Sequence, residues 1–241
     1  MNSRALLILS AATVAVIWQL PYGKQILYPL TLLATYAHEM GHGLTALFVG
    51  EKFDQLRLYA DGSGLALWHG NPGRAASALI AAGGLLGPTL AGIGLLLLAR
   101  TPRLARLVLT ALAVLIAITV ALWVRNLFGI AFLLALAGSL GLAARMLPDY
   151  GAALLVPTIA LTLCLSWFTD LGYMFSAYAE VDGVRHPSDS AIIAQALWLP
   201  YWFWGGVVAL FSLAVAILGI VFVSRRSGQP EADRLGLYSR R

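Results

Sequence analysis

The chain has 241 residues, of which 60% are hydrophobic and only 11% are charged, and its mean hydropathy is +0.81. A water-soluble domain carries about 25% charged residues, so this composition excludes a soluble globular protein and predicts that lipid surrounds most of the chain. The net charge of +5 comes from short connections and the C-terminal tail, where anionic lipid headgroups explain it more simply than nucleic acid does. The single cysteine, Cys164, lies in an apolar run, which excludes a disulfide framework and a thiolate metal cluster.

Seven segments are apolar and long enough to cross a bilayer, and they must be helices because their backbone groups find no partner in lipid. They cover 5–20, 27–49, 75–99, 104–123, 127–146, 151–169 and 198–223. We interpret the first as a retained span, since no convincing small-x-small cleavage site precedes Pro21. We therefore expect an all-α polytopic membrane protein with six or seven transmembrane helices, built as one domain, 1–223, with a basic tail, 224–241.

Two polar connections are too long to be simple turns. Residues 51–74 alternate apolar and polar side chains on either side of the sequence DGSG, the pattern of a β-hairpin. Residues 170–189 contain acids, aromatics and the sequence HPSD, which can start a helix. We predict one short hairpin after the second span and a polar connection ahead of the last span.

The second span contains three titratable side chains within five positions, His38, Glu39 and His42. Residues four apart lie on one face of a helix, so the two imidazoles can converge on one ion. Glu39 is rotated by about 100° from His38 and can act as a base towards water without binding the metal. Two imidazoles, a carboxylate base and an open coordination position are typical of a zinc hydrolase that cleaves peptide bonds.

The alternative interpretation is structural, with the two histidines and the glutamate bonded to neighbouring helices. Ionisable groups within a membrane span are costly and usually mark functional sites, which favours the metal site. Gly41 and Gly43 flank His42 and narrow the helix, so that another helix or a substrate backbone can approach.

A catalytic zinc takes three protein ligands, and the third is not obvious from spacing. Asp189 has the best context, because the chain enters apolar surroundings again there, although Ser188 or Asp189 would also serve as a helix N-cap. The other candidates lie in the connections and at segment ends: His69, Asp149, Asp170, Glu180, Asp182 and His186.

The order of the spans offers an independent check. Alternating crossings put the hairpin, the start of the fifth span and the second polar connection on one membrane face. His38, His42, Asn126 and Asp189 are therefore expected near the same side of the bilayer. Asn126 could donate to a developing oxyanion, although a hydrogen bond between helices is the more conservative interpretation.

The sequence HEMGHGL at 38–44, the stretch AAGGLLGPTLAG at 81–92 and the late Asp189 resemble the site-2 protease family of intramembrane zinc metallopeptidases. They are most similar to its short bacterial M50B-like branch, over roughly residues 30–220. The resemblance implies one zinc ion per chain, with His38, His42 and Asp189 as ligands and Glu39 as the base. The late motif, HPSDSA, departs from the Asn-Pro or Leu-Asp-Gly sequences of better-studied members.

The resemblance also implies a multi-pass protein of the bacterial plasma membrane that cleaves substrate helices after they unwind. The substrate strand would add to the edge of the hairpin. On this hypothesis the edge includes the residues of the DGSG sequence: Asp61, Gly62, Ser63 and Gly64. The positive-inside rule puts the zinc near the outer face, the family places it near the cytoplasm, and both orientations stay open.

The sequence thus predicts an intramembrane zinc metalloprotease whose partners are the lipid bilayer and a membrane-spanning peptide or protein substrate. One alternative is a zinc-binding, non-proteolytic scaffold or chaperone, which would have no need of Glu39 beside the ligands. A small-solute transporter that relays protons through the histidines and Glu39 is disfavoured, because paired broken helices and inverted repeats are not evident.

Overall fold

The structure, a computed structural model, describes residues 3–226 and folds them mainly as helices. The helices are α1 (Ser3–Gln19), α2 (Gly23–Phe48), α3 (Arg74–Leu98), α4 (Pro102–Leu122), α5 (Leu127–Met146), α6 (Asp149–Thr169), α7 (Leu171–Met174), α8 (Asp189–Leu197) and α9 (Tyr201–Arg226). Two antiparallel hairpins join β1 (Lys52–Leu58) to β2 (Gly64–His69), and β3 (Tyr178–Val181) to β4 (Val184–Pro187).

Five helical segments within the described residues are long and apolar enough to cross a membrane. They are α3, α4, α5, the run Asp149–Met174 that contains α6 and α7, and α9. The predicted helical polytopic architecture with a hairpin after α2 is confirmed, although α1 and α2 are not among these five. That residues 1–223 form one domain stays a prediction. The predicted tail begins inside α9, and its residues 227–241 lie outside the described residues.

A short helix, α8, precedes the predicted last span, 198–223, and a break in the helical structure separates it from α9. Trp198 has a φ of 66°, and this left-handed residue ends α8. Pro200 follows and lacks the N–H that would continue the helix. Because α8 is a separate short helix, its first residue can lie within the bundle beside α2.

The second polar connection contains a hairpin that the sequence analysis did not predict. Asp182 and Gly183 form its two-residue turn with φ values of 51° and 73°, between the paired residues Val181 and Val184. Such a turn requires positive φ at both positions, which Asp-Gly adopts readily. The Asp-Gly pair was the signal that could have predicted this hairpin.

The first hairpin is tied into the helical bundle along β1. Leu56 N–H donates to the carbonyl of Trp123 at 2.8 Å, and Arg125 N–H donates to the carbonyl of Leu56 at 3.1 Å. Asn126 continues the same pattern, because its side-chain amide bonds both the N–H and the carbonyl of Leu58. The segment between α4 and α5 therefore pairs with the outer edge of β1. The other strand of the hairpin, β2, lies on the side that faces α2.

Glycines allow α3 to pack against α2 with the backbones of the two helices in direct contact. A Cβ at Gly41 would lie 2.2 Å from the carbonyl oxygen of Gly83, and one at Gly87 would lie 2.5 Å from that of Ala37. Neither side chain could be accommodated without separating the helices. The glycine-rich run of the third span is thus explained by the contact that brings α3 to the histidines.

Candidate metal centre

His38 and His42, one turn apart on α2, converge with Asp189 from the start of α8. The Nε2 atoms of the two histidines are 3.0 Å apart. Asp189 Oδ2 lies 3.0 Å from His38 Nε2, and Asp189 Oδ1 lies 3.3 Å from His42 Nε2. The structure thus brings together residues separated by about 150 positions in the chain, with Asp189 buried.

The backbone of α3 fixes the orientation of the His42 ring. His42 Nδ1 lies 2.9 Å from the carbonyl oxygen of Ile80 and donates to it, because a carbonyl only accepts. Nδ1 therefore carries a proton, and Nε2 is the ring nitrogen that faces the centre and could bind a metal ion once the ring is neutral. The ring also lies against Gly84, where a Cβ would come within 2.2 Å of its Cε1 and Nε2 atoms.

Ser188, and not Asp189, is the N-cap of α8, so the Asp189 side chain is available to point to the histidines. Ser188 Oγ accepts from Ala191 N–H at 3.1 Å and donates to the carbonyl of Ser176 at 2.6 Å. Burial alone would raise the pKa of Asp189, but the charges and hydrogen bonds of His42 and His38 hold the pKa of that carboxyl well below its usual range. Asp189 is thus ionised where it faces the two histidines.

These three side chains are suited to hold a divalent metal ion. Their potential ligand atoms all lie within 4.8 Å of one another. Tetrahedral ligands at about 2.0–2.1 Å from one zinc ion are about 3.3 Å apart, close to the separations observed here. Imidazole nitrogen and carboxylate oxygen are also donors that zinc accepts, and a fourth position remains for water or substrate.

Glu39 is buried, with 6% of its surface exposed, in a narrow space between α2 and β2. The backbone of Ala66 in β2 hydrogen-bonds its carboxylate. A Cβ at Gly64 would lie 2.7 Å from Glu39 Cγ and 2.8 Å from the methyl group of Thr35. Gly64 therefore lets β2 approach closely enough to hold the glutamate beside the histidines.

A cavity of about 920 Å³ opens beside these residues. His38 and Glu39 form part of its wall, which α1, α2, α6, the start of β2 and the strand β3 complete. Hydroxyl groups occur along an otherwise largely apolar lining, on Tyr28, Thr31, Thr35, Ser63, Thr162, Ser166, Tyr173, Ser176 and Tyr178. The volume is sufficient for a short peptide segment together with water.

The residues predicted to form a substrate edge occupy two different places. Asp61, Gly62 and Ser63 form the turn, where Asp61 Oδ1 accepts from the Ser63 N–H and Gly62 O accepts from Thr35 Oγ1. Gly64 begins β2. The strand beside Glu39 is thus β2, which is half-buried there and continues the chain after the DGSG turn.

Asn126 lies on the other side of the hairpin from Glu39. Its amide is engaged by the backbone of Leu58 on β1, whereas Glu39 contacts β2. This placement favours a structural role, in which the side-chain amide makes the two hydrogen bonds to Leu58 that a neighbouring strand would otherwise make.

The other candidate third ligands have different surroundings. His69 bonds Asp54 within the hairpin, and Asp149 pairs with Arg106 at 2.9 Å. Glu180, Asp182 and His186 belong to the second hairpin or its turn, and Asp170 follows α6. In the part of the chain that the structure describes, His38, His42 and Asp189 form the group close enough to share an ion.

Sequence reasoning missed one residue that touches this centre. Tyr173 in α7 donates its hydroxyl to Asp189 Oδ2 at 2.7 Å and accepts the Asp189 N–H at 3.1 Å. An aromatic residue in a polar connection has no local pattern that would distinguish it from a packing residue.

Comparison with protein-family models matches residues 7–219 to the family described as Peptidase M50B-like. No curated protein and no solved structure gives a significant match to the chain. The family match covers most of the sequence and confirms the resemblance carried by HEMGHGL and the glycine-rich third span. The chain therefore belongs to the Peptidase M50B-like family, which indicates a membrane metalloprotease.

Proposed function

We propose that the protein is an intramembrane zinc endopeptidase that cleaves peptide bonds of membrane-embedded or membrane-edge substrates. The observation that carries this proposal is the buried Glu39 beside the converging His38, His42 and Asp189, in the wall of a large cavity. A purely structural site would gain nothing from a buried carboxylate next to the ligand group, because burying it costs free energy.

Each residue has a separate role in the proposed reaction. His38, His42 and Asp189 would hold one zinc ion, which would supply a Lewis acid that lowers the pKa of water and polarises the scissile carbonyl. Glu39 takes a proton from the attacking water and passes it to the leaving amine. The backbone of Ala66 keeps the Glu39 carboxylate oriented during both transfers.

Hydrolysis inside a membrane requires a route for water, and the cavity supports one. Irregular backbone at membrane depth is tolerated only where protein buries it or water reaches it. The turn of the first hairpin extends along α2 as far as Tyr28, whose hydroxyl donates to the carbonyl of Ala60 at 2.8 Å. The hydroxyl groups along the cavity would form hydrogen bonds with water molecules that reach Glu39.

The pairing of the first hairpin supports binding of the substrate as a strand. Leu56 and Leu58 direct their backbone groups away from β2, towards the segment after α4. Their cross-strand partners, Ala66 and Gly64, therefore direct theirs away from β1, towards Glu39 and the cavity. An unwound peptide could pair with this edge and present a backbone carbonyl to the metal centre.

The domain extent, the membrane and the substrate class of the enzyme follow the predictions from the sequence. The enzyme would act as a single domain, residues 1–223, in the bacterial plasma membrane, on a membrane-spanning peptide or protein.

The test uses purified protein in vesicles that also contain a panel of tagged single-span membrane peptides. Wild type should bind about one zinc per chain and cleave at least one peptide, with products identified by mass spectrometry. Glu39→Gln should bind zinc equally and lose cleavage by at least about 100-fold, because removal of a general base costs about 10²–10⁴-fold. Glu51→Gln, at the start of the hairpin, is the matched control and should cleave normally.

Zinc binding by wild type without cleavage of any peptide would favour the non-proteolytic scaffold instead. Normal cleavage by Glu39→Gln would remove Glu39 from the reaction.

A further inference from the structure

Tyr173 touches two of the three residues of the metal centre, and the proposed reaction gives it no role. Its hydroxyl donates to Asp189 Oδ2 at 2.7 Å and accepts from the Asp189 N–H at 3.1 Å. Its ring meets the His38 ring edge-on, with centroids 5.9 Å apart and an angle of 77° between the planes. One side chain therefore contacts both the carboxylate ligand and an imidazole ligand.

The position of Tyr173 is fixed by the bundle. The next residue, Met174, is 1% exposed and packs in the cluster between α3, α8 and α9. A Cβ at Gly205 would lie 2.2 Å from the carbonyl oxygen of Met174, so α9 lies directly against the backbone of α7. This close contact holds the short helix, and with it the hydroxyl, at a defined distance from Asp189.

The contact with Asp189 has a consequence for how that carboxylate can bind an ion. Oδ1 lies 3.3 Å from His42 Nε2, while Oδ2 accepts the hydrogen bond of Tyr173 and lies 3.0 Å from His38 Nε2. A hydroxyl bonded to Oδ2 restricts rotation of the carboxylate and occupies one lone pair. Hydrogen bonds to metal-binding residues typically improve metal affinity by about 10–100-fold.

We infer that Tyr173 is a positioning residue of the metal centre, which fixes the carboxylate of Asp189 so that it meets the ion in one orientation. The inference rests on the proposed function in one respect, that this site binds zinc. Tyr173 acts through Asp189 in this inference and does not itself contact the substrate.

The experiment compares full-length wild type with Tyr173→Phe, which removes the hydroxyl and keeps the ring. Zinc affinity is measured by competition with a chromophoric chelator, and the visible spectrum is recorded after substitution with Co²⁺. Tyr173→Phe should bind zinc about 10–100-fold more weakly and should change the Co²⁺ bands, because the carboxylate can rotate. On a cleaved peptide, kcat should fall while KM changes by less than about twofold, since ground-state substrate binding is preserved.

Tyr36→Phe is the matched control. Tyr36 lies on the same helix as the histidines, is 3% exposed and bonds Thr119 Oγ1 at 2.8 Å, away from the metal centre. This variant also loses one buried hydroxyl contact, so it should lose stability but keep the zinc affinity and Co²⁺ spectrum of wild type.

Two results would overturn the inference, and they can be told apart. Wild-type zinc affinity and an unchanged Co²⁺ spectrum in Tyr173→Phe would exclude positioning of Asp189, whatever happens to cleavage. Failure of wild type itself to bind zinc would overturn the inference together with the proposed function.

Discussion

The two sides of α2 are built differently, although they serve one site. Towards α3, Gly41 meets Gly83 through backbone atoms, and His42 lies on Gly84 and bonds the carbonyl of Ile80. Towards the first hairpin, side chains make the contacts: Tyr28 and Thr35 donate to the turn, and Glu39 lies against β2.

The difference separates two requirements of the proposed reaction. Metal ligands need fixed geometry, and a helix pair in backbone contact has little freedom to move. The base must face both water and substrate, and a strand edge provides both a backbone contact and a binding surface. Variants on the α3 side should therefore change metal binding, whereas variants on the hairpin side should change turnover.

Of the variants on the two sides of α2, Gly84→Ala is expected to cause the largest loss of zinc affinity. The added methyl group would overlap the His42 ring at 2.2 Å, and relief of such overpacking costs about 1–3 kcal/mol. If this strain displaces the ring, zinc affinity falls about 10–100-fold, as measured by chelator competition. Gly94→Ala, in the same helix with nothing within 4 Å, is the control and should keep wild-type affinity.

Gly64→Ala tests the opposite side of α2. Its methyl group would lie 2.7 Å from Glu39 Cγ, so the base must shift while the histidines keep their contacts. We expect kcat to fall about 10–100-fold with normal zinc content, because small displacements of catalytic groups are costly. Gly73→Ala, whose Cβ would have open space, should have no such effect, and loss of zinc in Gly64→Ala would contradict the separation of roles.

Asn126→Ala removes the side chain that closes β1. The N–H and carbonyl of Leu58 would lose their partner, at a cost of about 2–4 kcal/mol in the free energy of unfolding. Thermal unfolding of the protein in detergent micelles measures the loss, with the exposed Asn71→Ala as control. Unchanged stability with lost cleavage would instead support the oxyanion role considered for Asn126.

The smallest effect is expected from Thr35→Val. This change removes the hydroxyl that lies 2.8 Å from the carbonyl oxygen of Gly62 and 3.3 Å from that of Thr31, at a cost of about 1 kcal/mol. Cleavage should fall by no more than about threefold and zinc binding should stay normal. A larger loss of zinc would show that the two sides of α2 are not independent.

The sequence predicted the local part of the site, because helical periodicity alone puts His38 and His42 on one face. Asp189 was favoured because the chain becomes apolar again there, with the order of the spans as an independent check. The alternatives stayed open because contacts between distant segments leave no local pattern. The helix break at Trp198 and the hydroxyl of Tyr173 were not predicted, since both depend on tertiary packing. The second hairpin carried a usable signal in Asp182-Gly183, but its strands are only four residues long.

The closed edge of β1 also constrains the order in which parts of the chain can complete their contacts. Leu56 and Leu58 find their backbone partners only in the segment from Trp123 to Asn126, which the ribosome makes after α3 and α4. The outer edge of β1 can therefore be paired only after that segment has been synthesised. The first hairpin reaches its final set of backbone hydrogen bonds only when the beginning of α5 has been made.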